Sequence, residues 1–178
     1  MRSPKYLLLV LALCLFTAEL QAVLMKSLPI EELSQKADLI VRGTVLDKSC
    51  QRDDSGRIYT KIELQVSEVW KGTLATNSFT IVHGGGTVGD RRVEVSGQVE
   101  YEVGEEVVAF LRLNQRGEGV TIGLAQGKFR VWTDKATGER FAHNLFHGVP
   151  EKAAAQEKTK SRRLALKDLA HQAKGGVQ

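Results

Sequence analysis

A run of one histidine and three glycines, His83, Gly84, Gly85 and Gly86, is the first candidate for chemistry in this sequence. Glycine-rich backbone can present N–H groups to an oxyanion, but acyl transfer also needs a nucleophile, and the chain contains no G-x-S-x-G turn to supply one. The run continues as Gly84-x-Gly86-x-x-Gly89, formally a dinucleotide-binding pattern. A strand-like segment follows it, whereas phosphate binding needs the start of a helix. The run therefore predicts no catalytic or cofactor site.

Two histidines, His143 and His147, are spaced four residues apart, which on a helix would align them for zinc. The segment around them is strand-rich, and no glutamate follows His143 to serve as a general base. Two histidines at the surface or at a sheet edge are the favoured interpretation. We expect no metal, no cofactor and no enzymatic activity.

The first 22 residues are typical of a secretory signal peptide. Arg2 and Lys5 precede an apolar run over residues 6–16, and small or polar residues lead to a cleavage site after Ala22. The apolar run is shorter than the ~20 residues of a membrane-spanning helix. The chain is therefore expected to be exported, to a secreted or periplasmic location.

Cys50 is then the sole remaining cysteine and is interpreted as a free loop thiol, with an intermolecular disulfide as the alternative.

The positive charge of the chain is concentrated at its C-terminus. Residues 23–150 carry 16 basic and 17 acidic side chains, whereas residues 151–178 carry 7 basic and 3 acidic ones. The near-neutral body gives no reason to expect nucleic acid binding, and export makes it less plausible still. The predicted organisation is a signal peptide (1–22), one barrel domain (23–150) and a basic, helix-prone or disordered tail (151–178).

Two long strands predict the fold class. Ile58, Thr60, Ile62, Leu64 and Val66 alternate with polar residues, which indicates a strand with one buried face. The alternation slips after Ser67, because Val69 falls on the wrong parity to continue the apolar face, and a bulge near Ser67 and Glu68 would restore it. A preceding strand over residues 39–45, with a mid-strand glycine, and further short strands after residue 78 favour a closed barrel. Residues 27–38 predict a short helix whose Ile30, Leu33 and Ala37 could plug one barrel end.

The order of these segments resembles the netrin-like module, the OB-fold barrel of tissue inhibitors of metalloproteinases. The resemblance lies in segments 37–45, 59–72, 102–110 and 117–124. It includes the aspartate–apolar strand–glycine opening, the long strand that ends in Trp-Lys-Gly, and a late strand with glycine and leucine. It implies an all-β fold: a small OB-like barrel, closed or partly open and antiparallel, with a short N-terminal helix and a helix-prone C-terminal tail.

The resemblance also implies a function in protein binding, with a secreted protease as a candidate partner. Those inhibitors chelate the protease zinc through an N-terminal cysteine. The expected N-terminus here, after cleavage at Ala22, is Val23-Leu-Met-Lys, which has no cysteine nearby. We therefore expect a monomeric, non-enzymatic, exported module whose contact with a protein partner involves His83, Gly84, Gly85 and Gly86, because glycines allow close backbone approach. The alternative is an envelope-associated protein whose basic tail contacts an anionic surface. The exposed residues Lys61, Glu63 and Gln65 offer no aromatic platform for nucleic acid.

Overall fold

The computed structural model describes residues 26–154 and 162–175. The predicted signal peptide and its cleavage site at Ala22 lie outside the described residues. Ten strands and three helices follow one another in the described part of the chain. The strands are β1 (Leu39–Arg52), β2 (Ile58–Lys71), β3 (Ser78–Gly84), β4 (Gly86–Val88), β5 (Arg91–Val93), β6 (Glu106–Leu113), β7 (Gly119–Thr121), β8 (Lys128–Thr133), β9 (Arg140–His143) and β10 (Leu164–Ala165), and the helices are α1 (Ile30–Lys36), α2 (Glu151–Ala154) and α3 (Leu166–Ala173).

Five strands close into a barrel in the order β1-β2-β3-β7-β6, and β6 returns to pair with β1. All of these pairs are antiparallel except β3 with β7, which are parallel where Ile81 lies opposite Gly119. The predicted all-β, OB-like barrel with a short N-terminal helix and a C-terminal helix is confirmed. The sheet continues beyond the barrel through β8, β9 and β10, and a separate two-stranded hairpin joins β4 to β5.

The barrel interior is filled by the alternating residues that the sequence predicts. Ile62, Leu64, Val107, Ala109 and Leu111 are all fully buried in one cluster. The loop between β5 and β6 adds Tyr101 to the same cluster, and its hydroxyl lies 2.8 Å from the Thr121 hydroxyl. Burial of this phenol raises its pKa.

The predicted bulge is present in β2. Gly43 lies opposite Val66, whereas Arg42 lies opposite Glu68, so Ser67 is the extra residue. The bulge does not return Val69 to the buried face, because Val69 stays exposed and Trp70 is buried instead. Trp70 belongs to a second cluster on the outside of the barrel.

This second cluster shows where the helices pack. Ile30, Leu33 and Ala37 are buried as predicted, but they lie with Ile40 and Phe110, which point away from the barrel interior. Because β1 and β6 alternate between the two clusters, α1 covers the outer face of the barrel and does not plug its end. Leu166, Leu169 and Ala173 of α3 belong to the same outer cluster.

The described part of the predicted tail is therefore packed on the body. β10 pairs with β9, and α3 buries its apolar face beside α1. The Ser34 hydroxyl donates a hydrogen bond to the Ala173 carbonyl. The division at residue 150 is a change of composition and not a boundary of packing. No helix in the described ranges is long and apolar enough to span a membrane.

Candidate binding cleft

The glycine run ends β3 and begins β4. Gly85 and Gly86 have φ angles of +82° and +130°, a region that residues with side chains rarely adopt. The Gly85 N–H donates to the Ile58 carbonyl at 3.0 Å, and the Thr60 hydroxyl donates to the Gly85 carbonyl at 2.8 Å. These bonds fix the backbone of the run against the start of β2.

Close packing within the chain explains glycine at two of these positions. A Cβ atom at Gly86 would lie 2.6 Å from Cys50 Sγ and 2.7 Å from Thr60 Oγ1. A Cβ atom at Gly85 would lie 2.7 Å from the Val93 carbonyl oxygen, whereas one at Gly84 would meet only Val95 Cγ2 at an ordinary 3.6 Å. A partner is therefore not needed to explain Gly85 and Gly86, and their predicted role in binding stays a prediction.

Cys50, Thr60 and His83 lie side by side across three strands. Cys50 is opposite Thr60 in the β1–β2 pair, and Thr60 is opposite His83 in the β2–β3 pair. Cys50 Sγ lies 3.5 Å from the Thr60 hydroxyl. This hydrogen bond, with smaller help from the Thr87 backbone and Lys48, lowers the pKa of the thiol despite its partial burial.

His83 is held as a neutral ring. Burial lowers the pKa of its imidazole, and Nδ1 lies 2.9 Å from the Gly84 carbonyl oxygen, so the Nδ1–H tautomer donates there. Its Nε2 atom is buried and has no hydrogen-bond partner among the described residues. His83 is therefore placed to shape the local surface without adding a charge to it.

An open cleft of about 920 Å³ lies next to the glycine run, and we call it the main cleft. It is formed by the β1–β2 turn with the start of β2, the end of β3, the strand β5 with the residues after it, and the β6–β7 turn with β7. In OB-folds the face of the second and third barrel strands, flanked by two such turns, is where oligonucleotides and oligosaccharides bind. His83, Gly84 and Gly85 line the main cleft, while Gly86 does not.

The two turns that border the main cleft are fixed by side-chain caps. Asp53 Oδ1 accepts the backbone N–H groups of Ser55 at 3.0 Å and Arg57 at 2.9 Å. Asn114 Oδ1 accepts those of Arg116 at 2.9 Å and Glu118 at 3.0 Å. Asx-type turns of this kind hold the loop backbone in one conformation. The rim of the cleft is therefore preformed.

A second cleft, of about 770 Å³, lies on the other side of β5 and is called the thiol cleft. Cys50, Thr60 and Gly86 line it, together with Arg92 and Glu94. Val93 and Val95 border both clefts, and Arg91 lines the main cleft alone. Strand β5 is thus the wall between the two.

The histidine pair has no metal-binding geometry. His143 ends β9, and His147 follows in a turn in which Asn144 Oδ1 accepts the backbone N–H groups of Phe146 and His147, each at 2.8 Å. The helix that would align the two rings is absent from this described segment. Within residues 26–154 and 162–175, no group of three or more histidine, cysteine, aspartate or glutamate residues could hold a metal ion.

Comparisons with protein-family models and with curated proteins find no match for this chain. The resemblance to netrin-like modules therefore stays a prediction beyond the barrel fold itself.

Of the residues that line the main cleft, sequence reasoning identified His83, Gly84 and Gly85 but missed Arg57, Arg91, Arg116 and Val120. The capping residues Asp53 and Asn114, which begin two hairpin turns in an OB-like strand order, were the available signal.

Proposed function

We propose that this chain is an exported, non-enzymatic module that binds another protein through the main cleft. The observation that carries the proposal is the cleft itself: a preformed groove of about 920 Å³ at the turn-bearing face of an OB-like barrel. Binding sites are commonly carried by loops that a rigid scaffold positions. The barrel supplies the scaffold here, and the two capped turns supply the loops.

The apolar residues in the cleft support a protein as the ligand. Val93, Val95 and Val120 have 38%, 42% and 41% of their surface exposed, and all three line the main cleft. Apolar side chains in a recess bordered by polar turns are the arrangement that buries a partner's anchor residue. A single exposed valine would need no such explanation, but three in one groove favour an interface.

The described residues before β1 lie apart from this cleft. The Leu28 N–H donates to Gln126 Oε1 at 2.8 Å, and Gln126 Nε2 donates to the Lys26 carbonyl at 3.1 Å. None of the described residues before β1 lines the main cleft. If the partner is a secreted protease, the contact is then made by the barrel face, and residues added before Val23 are expected to leave binding unchanged.

The alternative, surface attachment through the basic tail, has less support. Arg163 forms an ion pair with Asp134 at 2.9 Å, and Lys174 lies over the Trp70 ring at 5.8 Å from its centroid. These two tail charges are engaged with the body, which reduces what the described tail can offer an anionic surface.

The test is a pull-down from the exporting organism with mature protein, in which Val120→Glu is compared with Val69→Glu. Val69 is equally exposed, at 41%, but lies on β2 outside the main cleft. We expect a partner protein that wild type and Val69→Glu retain and Val120→Glu loses. Equal capture by all three proteins, or capture by none of them, would contradict the proposal.

A further inference from the structure

The charge and the apolar surface of the main cleft indicate what kind of segment it takes. Resting on the proposed function, we infer that the occupant is an acidic, extended peptide segment of the partner, in which apolar side chains alternate with carboxylates. The carboxylates meet the arginines of the cleft, and the apolar side chains meet its valines.

The ionised side chains lining the main cleft are predominantly basic. They are Arg57, Arg91 and Arg116 against the carboxylate of Asp53. Arg57 is paired with Asp53, and Arg116 is paired with Glu118 beside the cleft, so one net positive charge remains, that of Arg91. A positive charge of this kind attracts and orients a ligand of the other sign. The His83 ring adds no charge, because burial lowers its pKa.

The guanidinium groups retain donors for a ligand. Arg57 binds Asp53 through Nε at 2.8 Å, and Arg116 binds Glu118 through Nε at 2.8 Å, so the terminal amino groups of both point to no acceptor within the described residues. Arg91 has no ion pair with any described residue, and it is exposed. Guanidinium groups bind carboxylates in two-pronged fashion, which makes them suitable partners for glutamate or aspartate.

Backbone and apolar contacts favour an extended peptide over other anions. β5 pairs with β4 on one edge and with no described strand on the other, so an incoming strand can pair there. The side chains of an added strand alternate in direction, as those of β5 do with Arg91 in the main cleft and Arg92 in the thiol cleft.

A nucleic acid or a sulfated sugar would make poorer use of this groove. Among the described residues that line it, the only phenylalanine, tyrosine or tryptophan is Tyr59. Its hydroxyl donates a hydrogen bond to Gln51 Oε1 at 2.9 Å. Strand-like binding of nucleic acid relies on several aromatic platforms. A strongly hydrated polyanion would also leave the exposed apolar surface of Val93, Val95 and Val120 unburied.

A phage-displayed library of random peptides, selected on the mature full-length protein, tests the inference. We expect enrichment of acidic peptides with intervening apolar residues. Synthetic copies of the enriched peptides should bind Arg91→Glu about tenfold or more weakly than wild type. The control is Arg112→Glu, since Arg112 is exposed, lies outside the main cleft and has only a distant contact with Asp38 at 3.9 Å. Binding to this variant should equal that of wild type.

Two outcomes would overturn the inference: enrichment of neutral or basic peptides or of none, and equal loss of affinity in the two arginine variants. Arg91-dependent binding of heparin or an oligonucleotide without any peptide enrichment would also overturn it, in favour of a polyanion. The proposed function fails separately. A partner captured through Val120 but not displaced by acidic peptides rejects the acidic segment alone, whereas the lack of any Val120-dependent partner rejects protein binding at this cleft.

Discussion

At Gly86 the backbone lies directly against the side chains of two neighbouring strands. A methyl group there would come within 2.7 Å of both Cys50 Sγ and Thr60 Oγ1, and the φ angle of +130° disfavours any side chain. Gly86→Ala is therefore expected to lower the free energy of unfolding by about 1–3 kcal/mol. Gly84→Ala, which meets only Val95 at 3.6 Å, should change it by less than about 0.5 kcal/mol.

Urea denaturation of the two glycine variants measures this difference. If Gly84→Ala and Gly86→Ala were equally stable, the close approach of the glycine run to Cys50 and Thr60 would be wrong.

The Cys50 thiol is expected to ionise at a lower pH than an ordinary cysteine. The hydrogen bond between Cys50 Sγ and the Thr60 hydroxyl is the largest cause of the lowered pKa of the thiol. The rate of alkylation by iodoacetamide, measured against pH, should therefore rise at a lower pH than for a free cysteine peptide. Thr60→Val should move this rise to higher pH, and Thr60→Ser, which keeps the hydroxyl, should not. A profile that is the same for all three proteins would exclude the hydrogen bond as the cause.

The strands could be predicted from the sequence because their signal is local. The alternation from Ile58 to Val66 is visible in nine residues, and each buried position in it follows from the geometry of one strand. The loss of phase after Ser67 likewise predicted a bulge near Ser67 and Glu68, and the structure has the extra residue at Ser67. Which of Val69 and Trp70 is buried could not be predicted in this way, because it depends on a second cluster built by distant segments.

The same reasoning explains why the segment that forms α3 was predicted to be helix-prone but not to pack on the body. Its apolar face, formed by Leu166, Leu169 and Ala173, is visible in the sequence, but the surface that receives it comes from α1 and from the outward residues of β1 and β6. The main cleft was missed for a similar reason. Arg57, Arg91 and Arg116 are 34 and 25 residues apart along the chain, and only the barrel closure brings them to one groove.

The packing of α3 on the body makes its apolar face important for stability. Leu169 is fully buried beside Leu33 in the outer cluster, so Leu169→Ala should cost about 2–5 kcal/mol of unfolding free energy. Lys167→Ala on the exposed side of the same helix should cost less than about 0.5 kcal/mol. Denaturation with urea compares the two. A free, solvated tail would give no difference between them.

The stability of the whole molecule should fall as the pH is lowered from about 7.5 to about 5.5. Burial lowers the folded-state pKa of His83, His143 and His147, so below the ordinary histidine pKa of about 6.5 the unfolded chain binds more protons than the folded one. Protonation then favours unfolding. The loss of stability begins as the pH falls through the histidine pKa of the unfolded chain, and it is complete below the pKa values of the three histidines in the folded state.

The variant with His83, His143 and His147 changed to glutamine is the control for this prediction, because these three positions then no longer titrate in that window. Its urea midpoint should vary less between the two pH values than that of wild type. A wild-type midpoint that is constant, or that rises on acidification, would show that these rings are not buried in their neutral form.

We propose that the turn-bearing face of the barrel binds the partner, while α1 and α3 pack on the outer cluster and support the fold. Nuclear magnetic resonance of isotope-labelled protein without residues 1–22, recorded while the captured partner is added, tests this division directly. We expect the amide shifts to concentrate at Asp53, Arg57, Gly84, Val93 and Arg116, which line the main cleft. Shifts confined to Lys26, α1 or α3, with those five amides unchanged, would contradict it.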